Sequence, residues 1–202
     1  FALLLPGLYI AITNFHREII PTELLFSILS SRQSVPFPII VEILIMEISF
    51  EIIREAGLRV PSPIGPTLGI VGALVLGQAA VSAAIVSPIL IIIVAITGMS
   101  SFAIPDFTFS FHLRFFRFVF ILLGFLAGFL GIGTGLFIYI SSLCDLETFG
   151  VSYTIPYAPA VNSKNNGFML SPIWKREDRA TYLATKKEKK QNKISMKWRK
   201  IN

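Results

Sequence analysis

Residues 38–61 read PIIVEILIMEISFEIIREAGLRVP, and this stretch decides how the rest of the chain is understood. Its Ile, Leu, Val, Met and Phe content suits a bilayer, yet it carries Glu42, Glu47, Glu51, Arg54, Glu55 and Arg59. At about 100° per residue, Glu47, Glu51, Arg54 and Glu55 share one helical face, and Glu42 points nearly opposite. A carboxylate at mid-bilayer is unfavourable by roughly 2.5–3.5 kcal/mol on insertion scales, so such groups face water or a partner inside a bundle. Glutamates four residues apart also repel along a helix. The acidic face therefore either lines something wet and cationic or is neutralised by arginine. Local pairing of Glu51 with Arg54 and of Glu55 with Arg59 absorbs part of the charge. A helix lying in the headgroup plane with its charges in water is the plainer alternative.

Working outward, the 202 residues are 53% hydrophobic and only 15% charged, with a mean hydropathy of +0.70. Apolar residues fall in long blocks, which predicts an all-α polytopic membrane protein. Its expected form is a helical bundle with surface or re-entrant amphipathic helices and a basic C-terminal tail. Phe1 to Thr13 reads as the second half of an apolar span already under way, so 1–13 is expected to be the end of a truncated transmembrane segment. No basic n-region precedes it as a signal peptide would require.

Segment 14–36 is read as interfacial and amphipathic. Thr22 after Pro21 is a helix start, and Leu24, Leu25, Ile28 and Leu29 form its apolar stripe. His16, Arg17 and Glu18 suit an interface, with His16 expected to be solvated. Pro36 and Pro38 then open the acidic helix, 37–60, which is expected to close at Gly57 as a left-handed cap. Residues 61–105 form a transmembrane hairpin broken at Pro88. Gly69, Ala73, Gly77, Ala80 and Ala84 lie on one stripe of its first half, a surface for close helix contact. Gln78 lies off that stripe and is a candidate for an interhelical hydrogen bond or a pore-facing group.

Arg114 and Arg117 stand at the start of the last expected transmembrane helix, 117–143, and argue that this start faces the cytoplasm, whereas the cluster KKEKKQNK (186–193) draws the C-terminus there instead; a cytoplasmic tail is the orientation expected. Gly124, Gly128, Gly131 and Gly135 repeat at 4-3-4 spacing there, a second smooth face for packing within a subunit or between subunits. The region 144–202 is expected to be a soluble basic tail. Up to Ser163 the chain has 6 basic and 9 acidic residues, and from Lys164 it has 12 and 3. Such a tail meets anionic lipid or an acidic partner, and nothing resembles a nucleic-acid reading module. Cys144 is the single cysteine, which excludes an intrachain disulfide and a thiolate metal site. With no Gly-rich phosphate loop, GxSxG or HExxH, and only His16 and His112, neither an enzyme, a cofactor nor a metal is expected.

The segments NFHREIIPTELL (14–25), VPFP (35–38), EILIMEISFEIIREAGLRVPSPIG (42–65), GIVGALVLGQAAV (69–81), VSP (86–88) and IP (104–105) resemble the membrane region of the A subunit of GerA-family spore germination receptors. The similarity runs nearly continuously from Leu3 to about Pro159. It implies a protein of the inner membrane of the bacterial endospore, working with a transporter-like B subunit and a lipoprotein C subunit. It also implies a preceding soluble domain and a homo-oligomeric ring that conducts ions. Matched residues are Glu42, Glu47, Glu51, Arg54, Glu55, Gly57, Arg59, Pro61, Gly72, Gly77 and Gln78. Departures are Pro66 where glutamine is usual, and a tail with VNSKNNG in place of an acidic patch, Leu170 near Pro172 without the usual arginine, and Arg179-Ala180 in place of Arg-Pro. The expected function is that of a nutrient-responsive receptor subunit forming or gating a cation-permeable channel, with Glu47, Glu51 and Glu55 at the ion path. An ion-coupled transporter subunit and a structural membrane scaffold are the alternatives.

Overall fold

The computed structural model describes residues 1–59, 64–155, 157 and 158. Among these the chain forms α1 (Leu5–Phe15), a 3-10 turn (Arg17–Ile19), α2 (Thr22–Arg32), α3 (Ile39–Arg59), α4 (Ile64–Ser82), α5 (Pro88–Phe102) and α6 (Phe107–Asp145). A two-residue hairpin follows, β1 (Glu147–Thr148) and β2 (Val151–Ser152). The chain divides into two units, Phe1–Gly135 and Leu136–Asn202. In the second unit β1 and β2 pair antiparallel, with Glu147 opposite Ser152. Phe149 and Gly150 make their turn, both at positive φ.

Prolines set the helix boundaries of the first unit. Pro21 precedes α2, Pro38 precedes α3, and Pro88 opens α5 behind Ser87, since proline supplies helical φ without needing an amide partner. Asp106 caps α6 by accepting from the Phe109 amide at 2.8 Å. The expected closure of α3 at Gly57 does not occur: Gly57 stays helical and α3 runs on to Arg59.

The core is built from Tyr9 and Ile10 of α1, Ile39, Ile43 and Met46 of α3, Val86, Leu90 and Val94 around α5, and Ile121 of α6. Around it, α3 lies along α4 and α5, and α1 lies along α5. Outward faces carry large apolar residues such as Ile52, Leu74, Met99, Phe115 and Leu126, a surface that asks for lipid or partner contact. By length and composition, the stretch Thr108–Asp145 is long and apolar enough to cross a membrane. Leu5–Phe15, Val71–Ser82 and Pro88–Phe102 are apolar but shorter.

Helix α6 is not the uninterrupted rod expected over 117–143. Gly128 has φ 59° and ψ −137° inside it. A Cβ placed on Gly135 would lie 2.5 Å from Leu123 Cδ1 and 3.3 Å from Phe120 Cε1. In a continuous helix Phe120 and Gly135 would stand about 22 Å apart at 1.5 Å per residue. The segment from Phe129 to Gly135 is therefore folded back on the one before Gly128.

The turn after α4 is a left-handed cap with the Ile85 amide donating to Ala80 O and the Ala84 amide to Val81 O, both at 2.9 Å. The residue in the left-handed position is Ala84, at φ 54°, where a glycine would be unstrained. Ala84→Gly is accordingly expected to stabilise the protein by about 1 kcal/mol, read as a higher melting temperature of the purified chain. An unchanged or lower melting temperature would remove the strain argument.

Candidate functional site

The acidic face of α3 meets two arginines of α6. Helical spacing places Glu47 and Glu51 one turn apart, and Arg114 and Arg117 lie i,i+3 on the facing helix. Arg117, fully buried, donates from Nη1 to Glu47 Oε2 at 2.8 Å and from Nη2 to Glu51 Oε1 at 2.7 Å. Arg114 donates from Nη1 to Glu51 Oε2 at 3.1 Å and from Nε to Ser110 O at 3.3 Å. A guanidinium fork suits this bridging, because its donors are fixed in one plane and each reaches a different oxygen.

Arg54 closes the cluster from α3 itself. Its Nη2 donates to Ser101 Oγ at 2.6 Å, and its Nη1 stands 3.9 Å from Glu51 Oε1. The guanidinium lies 4.1 Å from the centroid of Phe102 and 6.0 Å from that of Phe50, where the ring faces favour a cation. Ser101 Oγ in turn donates to Gly98 O at 2.6 Å, and Ser110 Oγ donates to Ser101 O at 3.3 Å. Among the described residues, Glu47 and Glu51 thus face the guanidiniums of Arg54, Arg114 and Arg117 at the meeting of α3, α5 and α6. Glu47 Oε1 and Arg117 Nε are buried without a hydrogen-bond partner among the described residues. Buried polar atoms of this kind are unfavourable unless water or a rearrangement satisfies them.

Glu42, on the other side of α3, has its own enclosure. Arg32 Nη2 donates to Oε1 at 2.6 Å and the Ser87 amide to Oε2 at 3.1 Å. Only 1% of Glu42 is exposed, so this carboxylate ties α2 and the start of α5 to α3 rather than meeting solvent. Arg32 Nη2 also donates to Phe37 O at 3.3 Å, which holds the α2–α3 turn.

The sequence-predicted residues separate on this basis. Glu47, Glu51 and Arg54 come together, while Glu55 and Gln78 are exposed. The side chain of Arg59 lies outside the described residues, as do those of 61–68. Of the small residues on α4, Gly77 faces Ile91 of α5, and a Cβ on Gly69 would meet nothing within 4 Å. Ala73 and Ala80 are half-buried, and Ala80 packs against the core. Gly124 packs on Gly7 of α1, Gly128 breaks its helix, and Gly131 and Gly135 press on Leu123. His16, expected to be solvated, is half-buried with its ring 4.5 Å from that of Phe129.

Sequence reasoning missed Arg32, Ser87, Ser101, Arg114 and Arg117 as members of the site. Arg114 and Arg117 lie 63 and 70 residues from their carboxylate partners, so no periodicity joins them. The available signal was arithmetic: an apolar chain with this many buried acids needs cations, and only six arginines precede residue 164.

Residues 1–182 match the family model of the Bacillus/Clostridium GerA spore germination protein. The chain is 44% identical over 193 residues to spore germination protein KA of Bacillus subtilis, covering 95% of this chain and 36% of that protein. It is 45% identical over 174 residues to the uncharacterized membrane protein YfkQ of the same organism, covering 86% and 34%. Against spore germination protein GerLA of Bacillus cereus it is 41% identical over 186 residues, covering 92% and 38%. The chain thus spans about a third of the length of these relatives. No solved structure matches it.

Proposed function

Since the chain belongs to the GerA family of spore germination proteins, we propose that it is the membrane region of a nutrient-responsive germination receptor subunit. In this reading it is polytopic, sits in the inner membrane of the endospore and assembles as a homo-oligomer. It works with a transporter-like B subunit and a lipoprotein C subunit, and the assembly passes cations once nutrient binds. The observation that carries the reading is Arg117 between Glu47 and Glu51. The protein's own guanidiniums occupy the positions that a permeant cation would take beside these carboxylates. This is a closed arrangement: ions meet the acidic face only after α6 withdraws Arg114 and Arg117. Glu55 is exposed further along the same helical face.

Glu51 tests this directly, because it is the carboxylate shared by both arginines and is the more exposed of the pair, at 21% of its side chain. In spores carrying Glu51→Gln in the full-length subunit, nutrient-triggered cation release is expected to change about tenfold in rate. That factor corresponds to the loss of one charge-assisted bond, about 1.5 kcal/mol. Subunit abundance in the membrane should be retained. Normal release from a normally assembled Glu51→Gln receptor would remove Glu51 from the ion path.

One observation favours a second reading. Glu42, Glu47 and Glu51 are each bridged to arginine, as in a scaffold whose charges only specify helix pairing. A reconstituted receptor without conductance under any nutrient would select that alternative.

A further inference from the structure

We infer that Gly128 is a two-position elbow: the arms of α6 on either side of it, as far as Gly135, exchange between the folded-back arrangement seen here and one extended helix. The inference concerns a single residue's backbone and stands whether or not the acidic face conducts ions.

Between Phe107 and Asp145 the sequence has no proline, and Gly128 is the one residue with non-helical dihedrals. Its φ of 59° and ψ of −137° fall where only glycine sits without strain. Returning this one residue to helical values restores a continuous i→i−4 ladder, so the two forms differ by two torsions rather than by a refolded segment. Extension recovers the backbone hydrogen bonds interrupted at the break, and folding back gains the contacts of Gly131 with Leu123 and of Gly135 with Leu123 and Phe120.

A third element acts as a latch on the folded-back form. Positions next to the Gly128 Cα are approached by Phe15 and His16 at the end of α1, their ring atoms 3.1 and 3.2 Å from where a Cβ would stand. The His16 ring also rests on Phe129, the first residue past the elbow. Immediately after this pair the chain leaves α1 for the 3-10 turn at Arg17. A shift of α1 relative to α6 therefore removes the latch and the steric reason for the bend together. In the extended form the glycines at 131 and 135 leave Leu123 and Phe120.

Spin labels on Leu122→Cys and Thr134→Cys in a Cys144→Ser background test this in the full-length protein in lipid nanodiscs. Both positions are exposed in the folded-back form, so the labels themselves do not force it open. The unsubstituted elbow is expected to show a short component with dipolar broadening and a second component near 18 Å, the span of twelve helical residues. Gly128→Ala, which a left-handed backbone disfavours, should deplete the short component about tenfold. Gly135→Leu should do the same by filling the space against Leu123 and Phe120 while leaving the elbow residue untouched, and Phe15→Ala should shift the balance in the same direction. A single short component that survives both Gly128→Ala and Gly135→Leu overturns the elbow, and so does a single long component in the unsubstituted chain.

Discussion

Arg117→Met is expected to destabilise the chain by about 3–5 kcal/mol, the range for leaving a buried partner charge without its counter-ion. Arg117 is fully buried and serves two carboxylates, and Glu47 is equally buried. Removing the guanidinium leaves Glu47 with no counter-ion at hydrogen-bonding distance and Glu51 with Arg114 and the more distant Arg54. Glu47→Leu combined with Arg117→Met should recover much of the loss, since an apolar pair of similar volume avoids the desolvation penalty on both sides. The check is a double-mutant cycle on thermal unfolding of the purified protein. A coupling below about 0.5 kcal/mol would mean that the two side chains act independently, which their 2.8 Å contact does not allow. Arg117→Lys should rescue only in part, because one ammonium cannot span two carboxylates as a planar fork does. The same variant separates the two functional readings. If arginine holds the acidic face shut, the fraction of Arg117→Met protein that assembles leaks cations without nutrient. If the pair only specifies helix packing, stability falls and no leak develops.

Gly124→Val should be the second severe substitution, for a reason unrelated to charge. A Cβ at Gly124 would lie 2.5 Å from Gly7 O and 3.3 Å from Gly7 Cα, and one at Gly7 would lie 2.7 Å from Phe120 O. These are backbone atoms, which do not move aside as a side-chain terminus does. Helix α1 must then lift from α6, uncovering Tyr9, Ile10 and Ala11, all of them buried. A loss of about 3 kcal/mol or more is expected, at the upper end of overpacking effects. Gly133→Ala is the control, in the arm of α6 past Gly128. A Cβ there would meet nothing within 4 Å, so the substitution should be neutral or stabilising by up to about 1 kcal/mol through helix propensity. Comparable losses at 124 and 133 would show that glycine is needed for flexibility of the helix rather than for close approach. Comparable tolerance at both would show that α1 does not pack on α6 as described.

Several features were legible in the residues alone. Proline positions placed the starts of α2, α3 and α5, because a missing amide and a set φ act locally and do not depend on what packs nearby. The 3.6-residue period put Glu47, Glu51 and Arg54 on one face and Glu42 on the other, and the structure keeps that division. The pattern of Glu, Arg, Pro and Gly from residue 14 to 105 was specific enough to indicate the family. Helix closure at Gly57 was a local inference that failed, since a glycine near a helix end is equally compatible with one more turn when tertiary contacts favour it.

What the tertiary structure alone decided is which cations the acids meet and where α6 turns. Glu51 was within local reach of Arg54, yet its closest partners come from α6, because a packed bundle brings Arg114 and Arg117 nearer than a side chain one turn along the same helix. Gly124, Gly128, Gly131 and Gly135 are equivalent by spacing, and three of them are helical while one is not. Glycine permits both backbone regions at similar free energy, so the residue type leaves the choice open. Beside Gly128 stand Phe15 and His16, more than a hundred positions away in the chain, their ring atoms 3.1 and 3.2 Å from where a Cβ would lie.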